Sequence, residues 1–197
     1  MNHAILDLKM PIMTPRLLIR APQAGDGKQL NEAVIESLGE LSKWLPWATY
    51  APSLQESEDF IQFKQKQWQQ KEDFMVLIFN ADGKKILGCS GLHRFDLEIP
   101  KFEIGFWVRS SYANQGIITE ATNALTQYAF NYLHAKRVEV RCEKNNLASQ
   151  RVVEKLHFNK EGTLKNFSVK PNGKDLEDIV VYARYDLMDL PVLSVSW

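Results

Sequence analysis

The chain has 197 residues, which suits one domain or one domain with a short appendage. Its residues are 45% hydrophobic and 24% charged, so a sizeable core can form, and 24 basic residues cancel 24 acidic ones. That balance argues against a protein built to track a phosphate backbone, and no direct nucleic-acid binding is expected.

Taken in chain order, Arg16 to Arg20 between prolines reads as a first strand. A helix is expected from about Asp26, with Leu30, Val34, Leu38, Leu41 and Leu45 on one face, ending at Trp44-Leu45-Pro46-Trp47 because proline does not continue a helix. Ser53-Leu54-Gln55-Glu56 is a capping box that opens a second helix running to about Gln70. Phe74 to Asn80 is an apolar strand turning at Asp82-Gly83, followed by strands at Ile86 to Phe95 and Phe102 to Val108 that complete an antiparallel meander. From Ile117 to Leu133 the residues Ile117, Ala121, Leu125, Tyr128 and Tyr132 fall on one helical stripe. Arg137 to Cys142 alternates as a strand, Asn146 to Leu156 is a short helix, and Phe158 to Lys165 and Ile179 to Tyr185 are the last two strands.

The order β-α-α-β-β-β-α-β-α-β-β gives an α/β (α+β) fold with a mixed sheet. No internal repeat or linker is visible, so residues 1–197 are expected to form a single domain with a core at about 14–185 and a C-terminal tail at 186–197. Cys89 and Cys142 lie in apolar stretches with no metal-ligand spacing and read as buried free thiols rather than a disulfide; no metal is expected. The longest apolar run, Phe74 to Phe79, is far below the ~20 residues a bilayer requires. Met1 to Met13 lacks a basic start followed by an apolar block, so a cytoplasmic protein with no membrane association is expected.

The most informative stretch is Ser111-Tyr112-Ala113-Asn114-Gln115-Gly116-Ile117-Ile118-Thr119-Glu120-Ala121. A strand ends near Val108, a polar loop turns at Gly116, and a helix begins at once. Free backbone amides at a helix start, with the positive end of the helix dipole, attract an anion, and glycine lets a phosphate approach the backbone. Neither Gly-Lys-Ser/Thr nor a dinucleotide-type glycine triplet is present, so a nucleotide triphosphatase is not supported.

The run EIGFWVRSSYANQGIITEA resembles the acetyl-CoA-binding motif of the GNAT N-acetyltransferases, in particular the RimJ/RimL-like branch. NNLASQRVVEKLHF resembles that family's Asn-x-x-Ser/Ala helix, and WLPW at Trp44 to Trp47 resembles its acceptor-side loop. The three lie in register over roughly Thr14 to Tyr185. The resemblance implies a GNAT fold, a mostly antiparallel central sheet flanked by helices. It implies acetyl-CoA as cosubstrate, with its pyrophosphate on the amides of Asn114, Gln115, Gly116, Ile117, Ile118 and Thr119. Ala113, Ile118 and His157 depart from common family residues, but none of them removes a backbone amide.

The resemblance also implies individual roles. A backbone amide near Trp107 or Val108 polarises the thioester carbonyl. Asn146 bonds the pantetheine arm. A tyrosine proton donor that many relatives carry is Val153 here; resemblance to RimL-like relatives instead implies Ser149, three residues after Asn146, as the candidate donor to the leaving thiolate, or else Ser149 caps or packs the helix. Glu103 is the candidate base on the strand feeding the loop, or else an ordinary strand carboxylate. Glu120 suits a helix start structurally, and His93 is a weaker candidate base. Trp44 and Trp47 either wall an acceptor groove or plug the core. The expected reaction is acetyl transfer to a primary amine, in particular a protein N-terminus such as that of a ribosomal protein, by a monomer or homodimer. The alternatives are a small-molecule amine acetyltransferase, acting on a polyamine, amino sugar or antibiotic, and a CoA-binding module without catalysis.

Overall fold

The computed structural model describes residues 8–96 and 98–197. Residues 1–7, part of the amino-terminal stretch read above for a leader, lie outside the described residues, as does Leu97. The elements in order are β1 (Ile12–Met13), β2 (Leu17–Arg20), α1 (Gly27–Leu41), α2 (Leu54–Gln70), β3 (Phe74–Asn80), β4 (Ile86–Asp96) and β5 (Lys101–Val108). A one-turn 3-10 helix at Ser110–Tyr112 leads to α3 (Ile117–Asn131), β6 (Arg137–Glu143), α4 (Leu147–Lys155), β7 (Asn159–Val169) and β8 (Leu176–Arg184).

The strands form one sheet in the order β1-β2-β3-β4-β5-β6-β8-β7. Among the described residues the β5–β6 pair is the one parallel pairing, as expected where a helix, α3, carries the chain from one strand to the next. Strand alternation divides the core in two. Met75, Leu77, Phe79, Ile86 and Cys89 turn to one face and pack under Leu30 and Val34 of α1 and Ile61 of α2. Phe74, Val76, Ile78, Phe102, Ile104, Val138 and Val140 turn to the other, under Ala121, Leu125 and Tyr128 of α3 and Val153 of α4.

Local chemistry sets several boundaries as the sequence predicts. Ser53 accepts from the Glu56 N–H while the Glu56 carboxylate accepts from the Ser53 N–H, closing the capping box of α2. Gly83, at φ +71°, turns β3 into β4, its N–H donating to the Asn80 carbonyl. Cys89 and Cys142 are buried free thiols.

Several features differ from the sequence reading, among them β7, which runs on to Val169 rather than Lys165, and β8, which begins at Leu176 rather than Ile179. The two-residue β1 precedes the expected first strand and pairs Ile12 with Ile19, too short a segment to leave a pattern. Helix α1 ends at Leu41, not at the Trp44–Trp47 segment, because Lys43 and Trp44 already bond three residues back, to Glu40 and Leu41, so the turn tightens before Pro46 is reached. Helix α3 stops at Asn131 rather than Leu133, and it is buried on more than the expected stripe, Thr122, Asn123, Ala124, Thr126 and Ala129 included. The segment 186–197 explains the last point, since it runs back over α3. Asn123 donates to the Pro191 carbonyl (2.8 Å), Gln127 to that of Leu193 (3.1 Å), and Ser196 exchanges two hydrogen bonds with Met13. Trp197 meets the Tyr128 ring edge-on at 5.4 Å.

Candidate active site

Because β5 and β6 run parallel, their C-terminal ends, and hence the N-termini of α3 and α4, lie at the same edge of the sheet. The two strands pair at Lys101–Arg137, Phe102–Val138 and Glu103–Glu139 and at no later position, so they splay apart from Ile104 onward. The splay exposes backbone groups of β5. The Arg109 N–H donates to the Leu87 carbonyl, and alternation back from that bond directs the N–H of Trp107 into β4. The N–H groups of Phe106 and Val108 therefore face the opening, so of the two residues named from the sequence it is Val108 that offers an amide there. Phe106 does so as well and was missed.

At the mouth of the splay the loop 109–116 is pinned to α1. The Glu36 carboxylate accepts from Arg109 Nε (2.6 Å) and from the Ser111 N–H (3.0 Å), and Ser37 Oγ accepts from the Ser110 N–H (2.9 Å). Hydrogen bonding from Ser111, aided by Arg109 and opposed by desolvation, lowers the Glu36 pKa to about 2. Asn114 and Gly116 take left-handed backbone conformations (φ +60° and +76°), which folds the chain tightly into α3. The first helical bond of α3 is Glu120 N–H to Gly116 carbonyl, so the N–H groups of Ile117, Ile118 and Thr119 precede it, and no acceptor among the described residues answers them.

Arg16 adds a positive charge here that sequence reading did not find. Its guanidinium bonds the Gln115 carbonyl (3.0 Å) and Glu120 (2.5 Å), and a side chain at Gly116 would come within 3.4 Å of it. Glu120 also accepts from Thr14 Oγ1 (2.6 Å), and it is a buried anchor joining the start of α3 to the segment before β2. That is the structural role the sequence favoured for it.

On the other side of the splay, Asn146 is the N-cap of α4, its Oδ1 accepting from the Ser149 N–H (3.0 Å). Among the described residues neither the Asn146 amide nitrogen nor Ser149 Oγ has a hydrogen-bond partner, so both are donors in reserve. His157, in place of the family glycine, adopts φ +55° after α4. The Phe158 and His157 amides bond Val153 and Glu154, and the Arg184 guanidinium caps the freed carbonyls of Leu156 and His157.

Glu103 sits at the foot of the splay, opposite His93 on β4 and Glu139 on β6. It is not an ordinary exposed carboxylate: its side chain is 14% exposed and is held by Arg94 (3.0 Å to both oxygens) and Arg141 (3.4 Å). Two guanidinium groups already engage this one carboxylate, so Glu103 reads as an ionic anchor. Nearby, His93 Nδ1 bonds the Asp73 carboxylate, which also binds Lys64 (2.5 Å). Burial raises the Asp73 pKa, but His93 and Lys64 outweigh it and hold the carboxyl below its ordinary value. Trp47 packs against Trp107 with ring centroids 6.3 Å apart and stays half exposed, as does Tyr50, so Trp47 borders an open surface rather than plugging the core.

Residues 16–159 match the family model described as acetyltransferase (GNAT) domain. YdaF of Bacillus subtilis (strain 168), which carries the provisional name of a ribosomal N-acetyltransferase, is 30% identical over 85% of this chain and 90% of its own length. The ribosomal-protein-serine acetyltransferase of Escherichia coli (strain K12) is 26% identical over 80% of this chain and 86% of its own. A solved structure of RimL, described as a ribosomal L7/L12 alpha-N-protein acetyltransferase in complex with coenzyme A, superposes with a TM-score of 0.79 at 28% identity, covering 89% of this chain and 97% of that one. Among the described residues no cluster of His, Cys, Asp or Glu is arranged to hold a metal ion, and no helix is long and apolar enough to cross a membrane.

Proposed function

The chain belongs to the GNAT acetyltransferase family, and from that premise we propose that it transfers an acetyl group from acetyl-CoA to the N-terminal α-amine of a protein, a ribosomal protein being the leading candidate. The observation that carries the reading is the RimL likeness over nearly the whole of both chains, joined to a splay and an unanswered helix start in the same place.

In this reading the pyrophosphate rests on the loop Asn114 to Gly116 and on the N–H groups of Ile117, Ile118 and Thr119. The phosphate charge is favoured there by the α3 dipole and by Arg16. The pantetheine arm enters between β5 and β6, where the Asn146 amide donates to it. The thioester carbonyl accepts from the Phe106 or Val108 amide, a fixed dipole aimed at the oxygen that gains charge as the amine attacks. Ser149 Oγ supplies a proton to the departing thiolate.

The chemistry of the acceptor supports an α-amine. Freeing one at neutral pH, from a pKa of ~7.8, costs about 1 kcal/mol, whereas a lysine at ~10.4 costs about 4.6 kcal/mol. The half-exposed Trp47 and Tyr50 give an extended peptide flat apolar surface to lie on. The test is a thiol-release assay with acetyl-CoA against N-terminal peptides, polyamines and aminoglycosides. Release with the peptides supports the reading, release with a polyamine or aminoglycoside alone assigns a small-molecule acceptor, and no release indicates a binding module.

A further inference from the structure

The acetyl-transfer reading still lacks a group to take the proton from the acceptor ammonium, because Glu103 is held by two arginines. We propose that His93 is that base, acting through Nε2, with Asp73 and Lys64 as its positioning residues; this rests on the acetyl-transfer reading above.

Four observations converge on it. First, His93 Nδ1 is bonded to Asp73 Oδ1, which fixes the tautomer with the proton on Nδ1 and leaves the Nε2 lone pair free. Among the described residues Nε2 has no hydrogen-bond partner. Second, Asp73 is itself held by Lys64 (2.5 Å), and both side chains are less than a fifth exposed, so the carboxylate is a fixed support. Third, the imidazole lies in a track cleared by two glycines. A Cβ on Gly91 would sit 2.5 Å from Nε2, and one on Gly105 would sit 3.4 Å from Cδ2 and 3.7 Å from Nε2. The ring therefore reaches across β4 onto β5, and Gly105 is the residue before Phe106, whose amide faces the splay. Fourth, the ring lies on the face of the sheet that carries α1, α2 and the Trp47–Trp107 pair, and its side chain is 29% exposed, so an incoming amine can reach it.

The charged and titratable groups facing the ring are Asp73 from the segment before β3, Lys64 from α2, Cys89 from β4, and Glu103 from β5 with its partners Arg94 and Arg141. Asp73 stabilises the imidazolium that forms.

The step balances as follows. One proton of the acceptor ammonium passes to Nε2 and on to solvent. The freed lone pair attacks the thioester carbonyl carbon, and the C–S bond breaks with its electron pair on sulfur. A second nitrogen proton is lost and the thiolate gains one, so one proton is released for each acetyl group transferred.

The test uses the full chain with acetyl-CoA and a synthetic peptide bearing an N-terminal serine. His93→Gln is expected to lower kcat/KM by about 100-fold or more at about pH 7, with acetyl-CoA affinity and Tm unchanged. The deficit should shrink as pH rises past the α-amine pKa of ~7.8, where solution already supplies the free amine. Added imidazole should restore part of the rate of His93→Ala, which a merely structural role would not allow. Nitrogen NMR of the resting protein should show His93 protonated at Nδ1, and Asp73→Asn should lose that preference together with rate. A wild type that turns over while His93→Gln stays within about threefold of it overturns the proposal. So does an Nε2-protonated resting ring. A wild type that acetylates no peptide overturns the acetyl-transfer reading instead.

Discussion

Glu36 on α1 holds Arg109, the first residue after β5, through a 2.6 Å bond to Nε, and its second oxygen takes the Ser111 N–H at 3.0 Å. One carboxylate thus fixes the loop that leads to the open amides of α3. Replacing it with glutamine removes the charge and weakens both bonds, so acetyl-CoA affinity is expected to fall several-fold. The pH dependence has a definite sign. The folded pKa of Glu36 is depressed to about 2 from an ordinary 4.5, so its contribution to stability is complete above 4.5 and is lost as pH falls toward 2. Thermal melts should show a Tm gap between wild type and Glu36→Gln that is constant above about pH 5 and closes toward about pH 2. A gap independent of pH over that range contradicts the assignment.

Gly116→Ala tests the anion site. The left-handed conformation of Gly116 disfavours any side chain by about 1–2 kcal/mol, and a Cβ there would crowd Arg16. Acetyl-CoA affinity is expected to drop by about tenfold or more, because the amides that meet the phosphates move. Gly173→Ala is the control. Gly173 has a similar φ of +71° with open space around it, so thermal melts should show the same strain lowering Tm while isothermal titration shows acetyl-CoA binding untouched.

Ser149→Ala should lower kcat by about tenfold or more and leave the KM for acetyl-CoA nearly unchanged, since protonating the thiolate matters only late in the reaction. Steady-state kinetics that match the wild type would return Ser149 to its place as the third residue of α4. Asn146→Ala should behave differently. It removes the N-cap as well as a donor, so it should lose about 1 kcal/mol of stability along with acetyl-CoA affinity.

The glycine that family resemblance leads one to expect at position 157 offers a gain. His157 occupies a left-handed position at the end of α4 that glycine fills without strain. His157→Gly should stabilise the fold by about 1 kcal/mol, or ~2–4 °C in Tm for a chain of this size, with turnover unchanged. A lowered Tm would mean that the histidine side chain contributes more than its backbone costs.

These sites differ in how far the sequence reveals them. The Gly116 turn and the Ser53–Glu56 box are local, each set by residues within three or four positions, and both were legible; the cap of α4, expected at Ser149, is instead Asn146, whose side chain accepts from the Ser149 N–H. The links that complete the site are not local. Arg16 meets Glu120 across 104 positions, Ser111 meets Glu36 across 75, and Asp73 meets His93 across 20. No periodicity marks such pairs. Glu103 shows the cost of that: its place on the strand was clear, but Arg141, which comes from β6, was not, and the arginines change its chemistry. The breadth of the buried surface of α3 was hidden for the same reason, since Trp197 covers it from the far end of the chain.

The central claim is acetyl transfer to an α-amine, and mass spectrometry tests it most directly. A peptide carrying both a free N-terminus and an internal lysine is incubated with acetyl-CoA and the enzyme, and the modified nitrogen is located by fragmentation. The account predicts one acetyl group per peptide on the N-terminal nitrogen, matched by an equal amount of released CoA thiol. Acetyl found on the lysine side chain, or an unmodified peptide beside rapid acetylation of a polyamine, would contradict it.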